Sequence, residues 1–239
     1  MIIRHNNIIL IGTSHVAKES IKEIKEVIEA EEPKIIAIEL DKKRAMGLLT
    51  KNKNTNKMYI LKKIGITGLI FYMIGEFAQK KIGKFLDIEP GSDMLTALNI
   101  AREKKLMFAL IDRDIEITLK KIGKNITWTD RKNFFIDILG GPFAKKQKIN
   151  FDLSKVPPQE MINVVVNLMK KRYPGMYKTL IHERNVIMTK RILNLSTKFE
   201  SKIVAVVGAG HIEGMHEILK KRLIWNPCYS DYYQNNFFV

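Results

Sequence analysis

Apolar residues cluster in this chain at two periods, and the alternation between them sets the expected fold. Four short continuous runs, Ile8 to Ile11, Ile35 to Ile38, Leu106 to Ile111 and Ile203 to Val207, are each followed by polar or helical sequence. Continuous apolar runs of this length read as strands buried on both faces, the pattern of a parallel sheet. After the first run the period lengthens. Ala17, Ile21, Ile24 and Ile28 recur at helical spacing among Lys and Glu, so residues 16–28 are expected to form a helix. Pro33 closes that helix and opens the second run. Strand, helix and strand within about 30 residues make a βαβ unit, with parallel strands and a right-handed crossover.

Further helices are expected at 43–50, 57–86, 97–104, 114–122, 129–139, 157–171, 177–197 and 212–223. Breaks are expected at Pro90-Gly91 and Gly140-Gly141-Pro142, and an exposed loop at Asn52 to Asn56. The expectation is one α/β domain over residues 1–225, a mainly parallel central sheet with flanking helices and with helical insertions at about 43–100 and 115–197. Residues 226–239, rich in aromatics and amides, form a tail that docks on its own domain or on a neighbouring subunit, so a homo-oligomer stays open.

Composition narrows this picture. A chain of 239 residues with 46% hydrophobic and 28% charged residues is an ordinary globular protein. The single cysteine, Cys228, excludes an intrachain disulfide and a cysteine-based zinc site, and fits a reduced, cytoplasmic setting. No signal peptide is expected, because the start carries Arg4 and His5 and lacks a long apolar segment. The apolar stretch 64–75 is shorter than the roughly 20 residues that span a bilayer. Lysines at 62, 63, 80, 81 and 84 flank it, which favours a core helix and leaves a peripheral membrane contact as the alternative. The formal charge of +16 attracts anionic partners in general. Its lysines are interleaved with glutamates, as in Lys22-Glu23-Ile24-Lys25-Glu26, and no arginine-rich arm or zinc finger occurs, so nucleic acid is not the expected partner.

Candidate chemistry lies where the runs stop, because open parallel sheets build their sites beyond the carboxyl ends of the strands. The first run ends in Gly12-Thr13-Ser14-His15 and the last in Gly208-Ala209-Gly210-His211. The second ends at Glu39 and the third at Asp112-Arg113-Asp114. His15, His211 and Glu39 together offer two nitrogens and one oxygen, a known catalytic zinc set. The same trio also suits metal-free catalysis, with a histidine as general base oriented by a carboxylate, or plain helix capping by two turn histidines. A helix over 176–195 carries His182-Glu183-Arg184-Asn185. If its end covers the strand tips, Glu183 is a further ligand or base and Arg184 a clamp for an oxyanion or carboxylate; otherwise they are a surface ion pair. Two competing motifs fail. In Gly208-Ala209-Gly210-His211-Ile212-Glu213-Gly214 the third Gly falls one residue late for a dinucleotide fingerprint, and Val186 stands where a zincin helix starting at His182 needs its second histidine.

Six blocks, in order, resemble the TraB/PrgY family: Gly12-Thr13-Ser14-His15-Val16; Ile38-Glu39-Leu40 with Arg44; Glu89-Pro90-Gly91-Ser92-Asp93-Met94; Leu110-Ile111-Asp112-Arg113-Asp114-Ile115; His182-Glu183-Arg184-Asn185; and Val206-Val207-Gly208-Ala209-Gly210-His211. They span residues 8 to about 220. The resemblance implies a fold shared with erythromycin esterase-like and ChaN-like proteins, and kinship with pheromone-shutdown proteins and the metal-dependent Tiki proteases. It implies a divalent metal (Zn, Mn or Co) on His15, His211 and Glu39, catalytic roles for Glu39, Glu183 and Arg184, and support from Gly12, Gly208, Asp112 and Arg113. A peptide or small-molecule substrate follows from it, with cleavage as one reading and sequestration in the same groove as the other. Many members continue into a C-terminal membrane region. This chain ends in its aromatic tail, so the expectation is a soluble core that keeps the site residues.

Overall fold

The computed structural model describes residues 1–13, 18–50, 91–140 and 159–221. The expected loop at 52–56, the helix at 57–86, the tail at 226–239 and His15 lie outside the described residues.

Among the described residues five strands form one sheet in the order β1-β2-β5-β3-β4, with β1 Ile2–His5, β2 Ile8–Thr13, β3 Ile35–Ile38, β4 Met107–Leu110 and β5 Ile203–Gly208. The four expected strands are present and mutually parallel, as the apolar runs require. Their neighbours differ from a simple βαβ unit. The last strand, β5, inserts between β2 and β3, pairing Ile8 with Ile203 on one side and Ile35 with Ile203 on the other. The sequence reading contained no β1. It is an antiparallel edge strand joined to β2 through Asn6-Asn7, with Asn6 at φ 52°, a backbone conformation that asparagine tolerates.

Both sheet faces are covered, which explains why the strands lack polar alternation. Ile9, Ile11, Ile36, Ile38, Val204 and Val206 pack under α1 (Lys18–Glu31) and α3 (Ser92–Glu103). The intervening Ile8, Leu10, Ile35, Ala37, Ile203 and Ala205 pack under α8 (Glu183–Lys198) and α9 (Ala209–Lys221). Each fully buried Ile or Val stabilises the fold by about 1.5–3 kcal/mol. The α3 helix begins five residues before its expected start and packs on α1 and β3.

The remaining described helices are α2 Lys42–Thr50, α4 Ile115–Asn125, α5 Trp128–Gly140, α6 Gln159–Arg172 and the single turn α7 Pro174–Tyr177. A π-helical turn, Lys178–His182, joins α7 to α8. The expected helix 177–197 is therefore real but carries a widened turn, of the kind that often accompanies functional sites, directly before Glu183-Arg184. Among the described residues no helix is long and apolar enough to cross a membrane.

Candidate functional site at the strand tips

Glu39 is the first residue beyond β3. Its amide still donates to the Val206 carbonyl (3.0 Å), which extends the ladder by one residue and fixes the side chain at the carboxyl edge of the sheet. The carboxylate is 2% exposed. Oε2 accepts from the Gly208 amide at 2.6 Å, and Oε1 accepts from Arg184 Nη2. His211 stands in the first turn of α9, which starts directly after β5, and is 5% exposed. Its Nε2 lies 3.3 Å from Glu39 Oε1 and its Nδ1 lies 2.6 Å from Asn185 Oδ1. Two of the three expected donors thus meet, while His15 falls outside the described residues. Thr13, which closes β2, pairs in register with Gly208, so β2 and β5 end at the same level. Gly12 keeps that edge tight: a Cβ there would stand 2.7 Å from Ile212 Cγ1 and 3.2 Å from Ala209 Cα.

Asp112, beyond β4, organises the cations. Arg184 grips it with Nε on Oδ1 (2.9 Å) and Nη2 on Oδ2 (2.8 Å), the forked geometry suited to a carboxylate. Arg44 adds a contact to Oδ2 at 3.2 Å, and Arg191 Nη1 donates to the Asp112 carbonyl at 2.5 Å. Burial opposes the charge on Arg184, but the Glu39 and Asp112 carboxylates more than offset it, so the pKa of Arg184 rises above its ordinary value. Arg184 thus holds two of the protein's own carboxylates, Glu39 and Asp112.

Glu183 belongs to a different cluster, because adjacent helix residues point about 100° apart. Its Oε2 accepts from Arg113 Nη1 at 2.7 Å and Lys121 Nζ at 2.8 Å. Arg113, buried, also donates to Thr118 Oγ1 (3.1 Å) and the Thr179 carbonyl (3.1 Å). Burial pushes the Glu183 carboxyl up, and the hydrogen bonds from Lys121 and Arg113 overcome it, leaving the pKa below its usual value. The sign gives a prediction. A depressed carboxylate pKa contributes stability that is present above the unfolded pKa and lost as pH falls through the folded one. Glu183→Gln should therefore be less stable than wild type in urea at neutral pH. The gap should close on acidification below about pH 4.5, the ordinary value for this group. A gap that persists unchanged into acid would show that the carboxylate charge is not its source.

Two pairings escaped the sequence reading. Asn185 sits on the inward stripe of α8 with Met188 and Ile192, and a polar residue on a buried stripe is itself a signal, since buried amides need partners. Thr13 Oγ1 donates to Asp93 Oδ2, tying the end of β2 to the first turn of α3. That contact joins residues 80 apart, and no local pattern announces it. Among the described residues no three His, Cys, Asp or Glu side chains form a group that would hold a metal ion.

A sequence model of the TraB/PrgY/gumN family matches residues 3–222. An uncharacterized protein of Methanocaldococcus jannaschii is 37% identical over 219 residues, covering 90% of this chain and 54% of that protein. TraB domain-containing proteins of Bos taurus and Homo sapiens are 22% and 20% identical over 240 residues, covering 89% of this chain and 62% of each. The chain thus spans less than two thirds of the length of these relatives.

Proposed function

This chain belongs to the TraB/PrgY/gumN family, and we propose that its strand tips form the site of a metal-dependent hydrolase acting on a peptide or related carbonyl. The observation that carries this reading is the approach of His211 Nε2 to Glu39 Oε1, 3.3 Å apart and both buried at the sheet edge. An imidazole nitrogen facing a carboxylate oxygen is two thirds of a catalytic zinc set that leaves a position open. The family resemblance assigns the third donor to His15. The donor chemistry fits a borderline cation such as Zn, Mn or Co. When bound, such an ion supplies Lewis acidity and makes a water acidic enough to act as a nucleophile at neutral pH.

The protein's own groups do the rest. Arg184, braced by Asp112, donates to Glu39 Oε1, the oxygen that faces His211. The Gly208 amide holds the second oxygen of Glu39, so the carboxylate has one orientation. In this reading Arg184 acts on Glu39 rather than on substrate. Glu183, whose proton affinity is lowered by Arg113 and Lys121, is a poor general base and anchors the helix instead. One observation favours the alternative of a sequestering protein that binds a peptide without cleaving it: both Glu39 oxygens already accept hydrogen bonds, as in a purely structural carboxylate.

Calorimetric titration of metal-free protein with Zn, Mn and Co should show one bound ion. Removing a ligand in His211→Ala or His15→Ala should weaken it by more than the roughly 10- to 100-fold caused by losing an outer hydrogen-bond partner of a ligand. Peptide-library cleavage should stop on adding a chelator. No binding of any of the three metals, or binding indifferent to His211→Ala, defeats the metal reading. Peptides retained intact, with an affinity insensitive to Glu39→Gln, establish sequestration instead.

A further inference from the structure

We propose that Asn185 is a positioning residue that fixes His211 in the Nδ1–H tautomer, with Gly214 supplying the space in which Asn185 sits, so that Nε2 aims its lone pair at Glu39. This deepens the proposed function by naming what prepares the site for a cation.

Asn185 is 2% exposed and its Oδ1 lies 2.6 Å from His211 Nδ1. An amide oxygen only accepts, so the hydrogen of that bond belongs to Nδ1, and in a neutral ring the other nitrogen is then bare. That bare nitrogen faces Glu39 Oε1 at 3.3 Å. When that carboxylate is ionised its oxygen is an acceptor, so with Nδ1–H as the ring's one N–H the two atoms share no hydrogen. Arg184 satisfies Oε1 through Nη2. No hydrogen on the ring joins Nε2 to Glu39 in this tautomer. The pair is relieved by a cation that both atoms can share. The opposite tautomer would let Nε2–H donate to Glu39, closing the pair into an ordinary hydrogen bond and removing the nitrogen from any ligand set. Asn185 therefore selects between an open and a closed site.

Gly214 makes this placement possible. It follows His211 by three residues on α9, and a Cβ there would stand 2.2 Å from Asn185 Nδ2 and 3.3 Å from its Cγ. Real Cβ atoms do not approach that closely, so any side chain at 214 drives Asn185 away from the ring.

The test reads the tautomer directly. Metal-free protein labelled with 15N in its histidines is examined by long-range 1H–15N correlation at alkaline pH, with His211→Gln assigning the signal. The expected wild-type pattern is a protonated Nδ1 and a bare Nε2. Asn185→Asp, which keeps an acceptor in the same place, should preserve it. Asn185→Leu, similar in size without an acceptor, should shift His211 toward Nε2–H, and Gly214→Ala should do the same. In an Asn185→Ala background the Gly214→Ala change should add nothing, because its effect acts through Asn185. Zinc binding should fall roughly 10- to 100-fold in Asn185→Leu, as for other outer partners of metal ligands. A wild-type ring protonated at Nε2, or at both nitrogens, overturns the inference. So does an unchanged tautomer in folded Asn185→Leu or Gly214→Ala. If wild type shows bare Nε2 yet binds no metal, the positioning role stands and the hydrolase reading falls.

Discussion

Replacing Arg184 by methionine is expected to destabilise the protein by about 3–5 kcal/mol, the usual consequence of removing one partner from a buried ion pair. Methionine keeps much of the length and volume of the arginine stem, so packing is largely spared and the loss reports on charge. What remains is two carboxylates, Glu39 and Asp112, each almost fully buried. Arg44 stays on Asp112 at 3.2 Å, but Glu39 loses its guanidinium partner, while the Gly208 amide stays on its other oxygen. Arg184→Lys should fall between the two, because an ammonium restores charge without the fork that grips Asp112 through Nε and Nη2 together. Urea unfolding at neutral pH measures all three. A loss below about 1 kcal/mol in Arg184→Met would place the pair with surface salt bridges and remove the reason for assigning it a role in holding Glu39.

The second large effect is steric. Gly175→Ala should lower stability by about 1–3 kcal/mol or more, the range for forcing atoms into a packed interior. The new Cβ would stand 2.0 Å from the Asn125 carbonyl oxygen and 2.9 Å from its carbon, with Asp130 Oδ2 at 2.5 Å. Side-chain rotation cannot relieve a clash with backbone, so α7 must lift off the end of α4. That movement breaks the Gly175 amide bond to Asp130 (3.1 Å) and disturbs Thr179, which donates to the Gly175 carbonyl (3.0 Å) and whose own carbonyl accepts from Arg113. A 3 kcal/mol loss corresponds to a fall of roughly 6–12 °C in Tm for a domain of this size. Gly47→Ala is the control. Among the described residues no atom lies within 4 Å of a Cβ at 47, which is on α2, so alanine there should be neutral or stabilising by up to about 1 kcal/mol. Equal losses at 47 and 175 would show that backbone freedom, not close approach, governs both.

The parts of this architecture that follow from local period were legible before any coordinates. Ile35 to Ile38 is a strand because four consecutive apolar residues must be buried on both faces, and Glu39 then stands at a strand end by necessity. His211 follows β5 for the same reason. What local period cannot carry is adjacency. Nothing in Ile203 to Val207 says that the strand lies between β2 and β3, and β1 was hidden because Arg4 and His5 interrupt its short apolar pattern at an edge that solvent reaches. The same limit hid the partners of Arg184. Its place on a helix was readable, but Glu39 lies 145 residues away and Asp112 lies 72 away. Glu183 shows the same limit, since its helix position was readable but Arg113 lies 70 residues away and Lys121 lies 62 away.

The central position of β5 also bears on how the molecule is made. Synthesis delivers β2 and β3 early, yet the strand that pairs with both arrives only at residues 203–208. Until then the emerging polypeptide presents two apolar strand edges without their shared neighbour, a state prone to mispairing with other chains. Closing the sheet requires contacts across nearly the whole length already made, and such distant pairing slows folding. Glu39 meets Gly208 and His211 only after that closure. A nascent chain released early would have the end of β2 and the Glu39 carboxylate without Gly208 or His211, so these contacts form only once translation has passed residue 211.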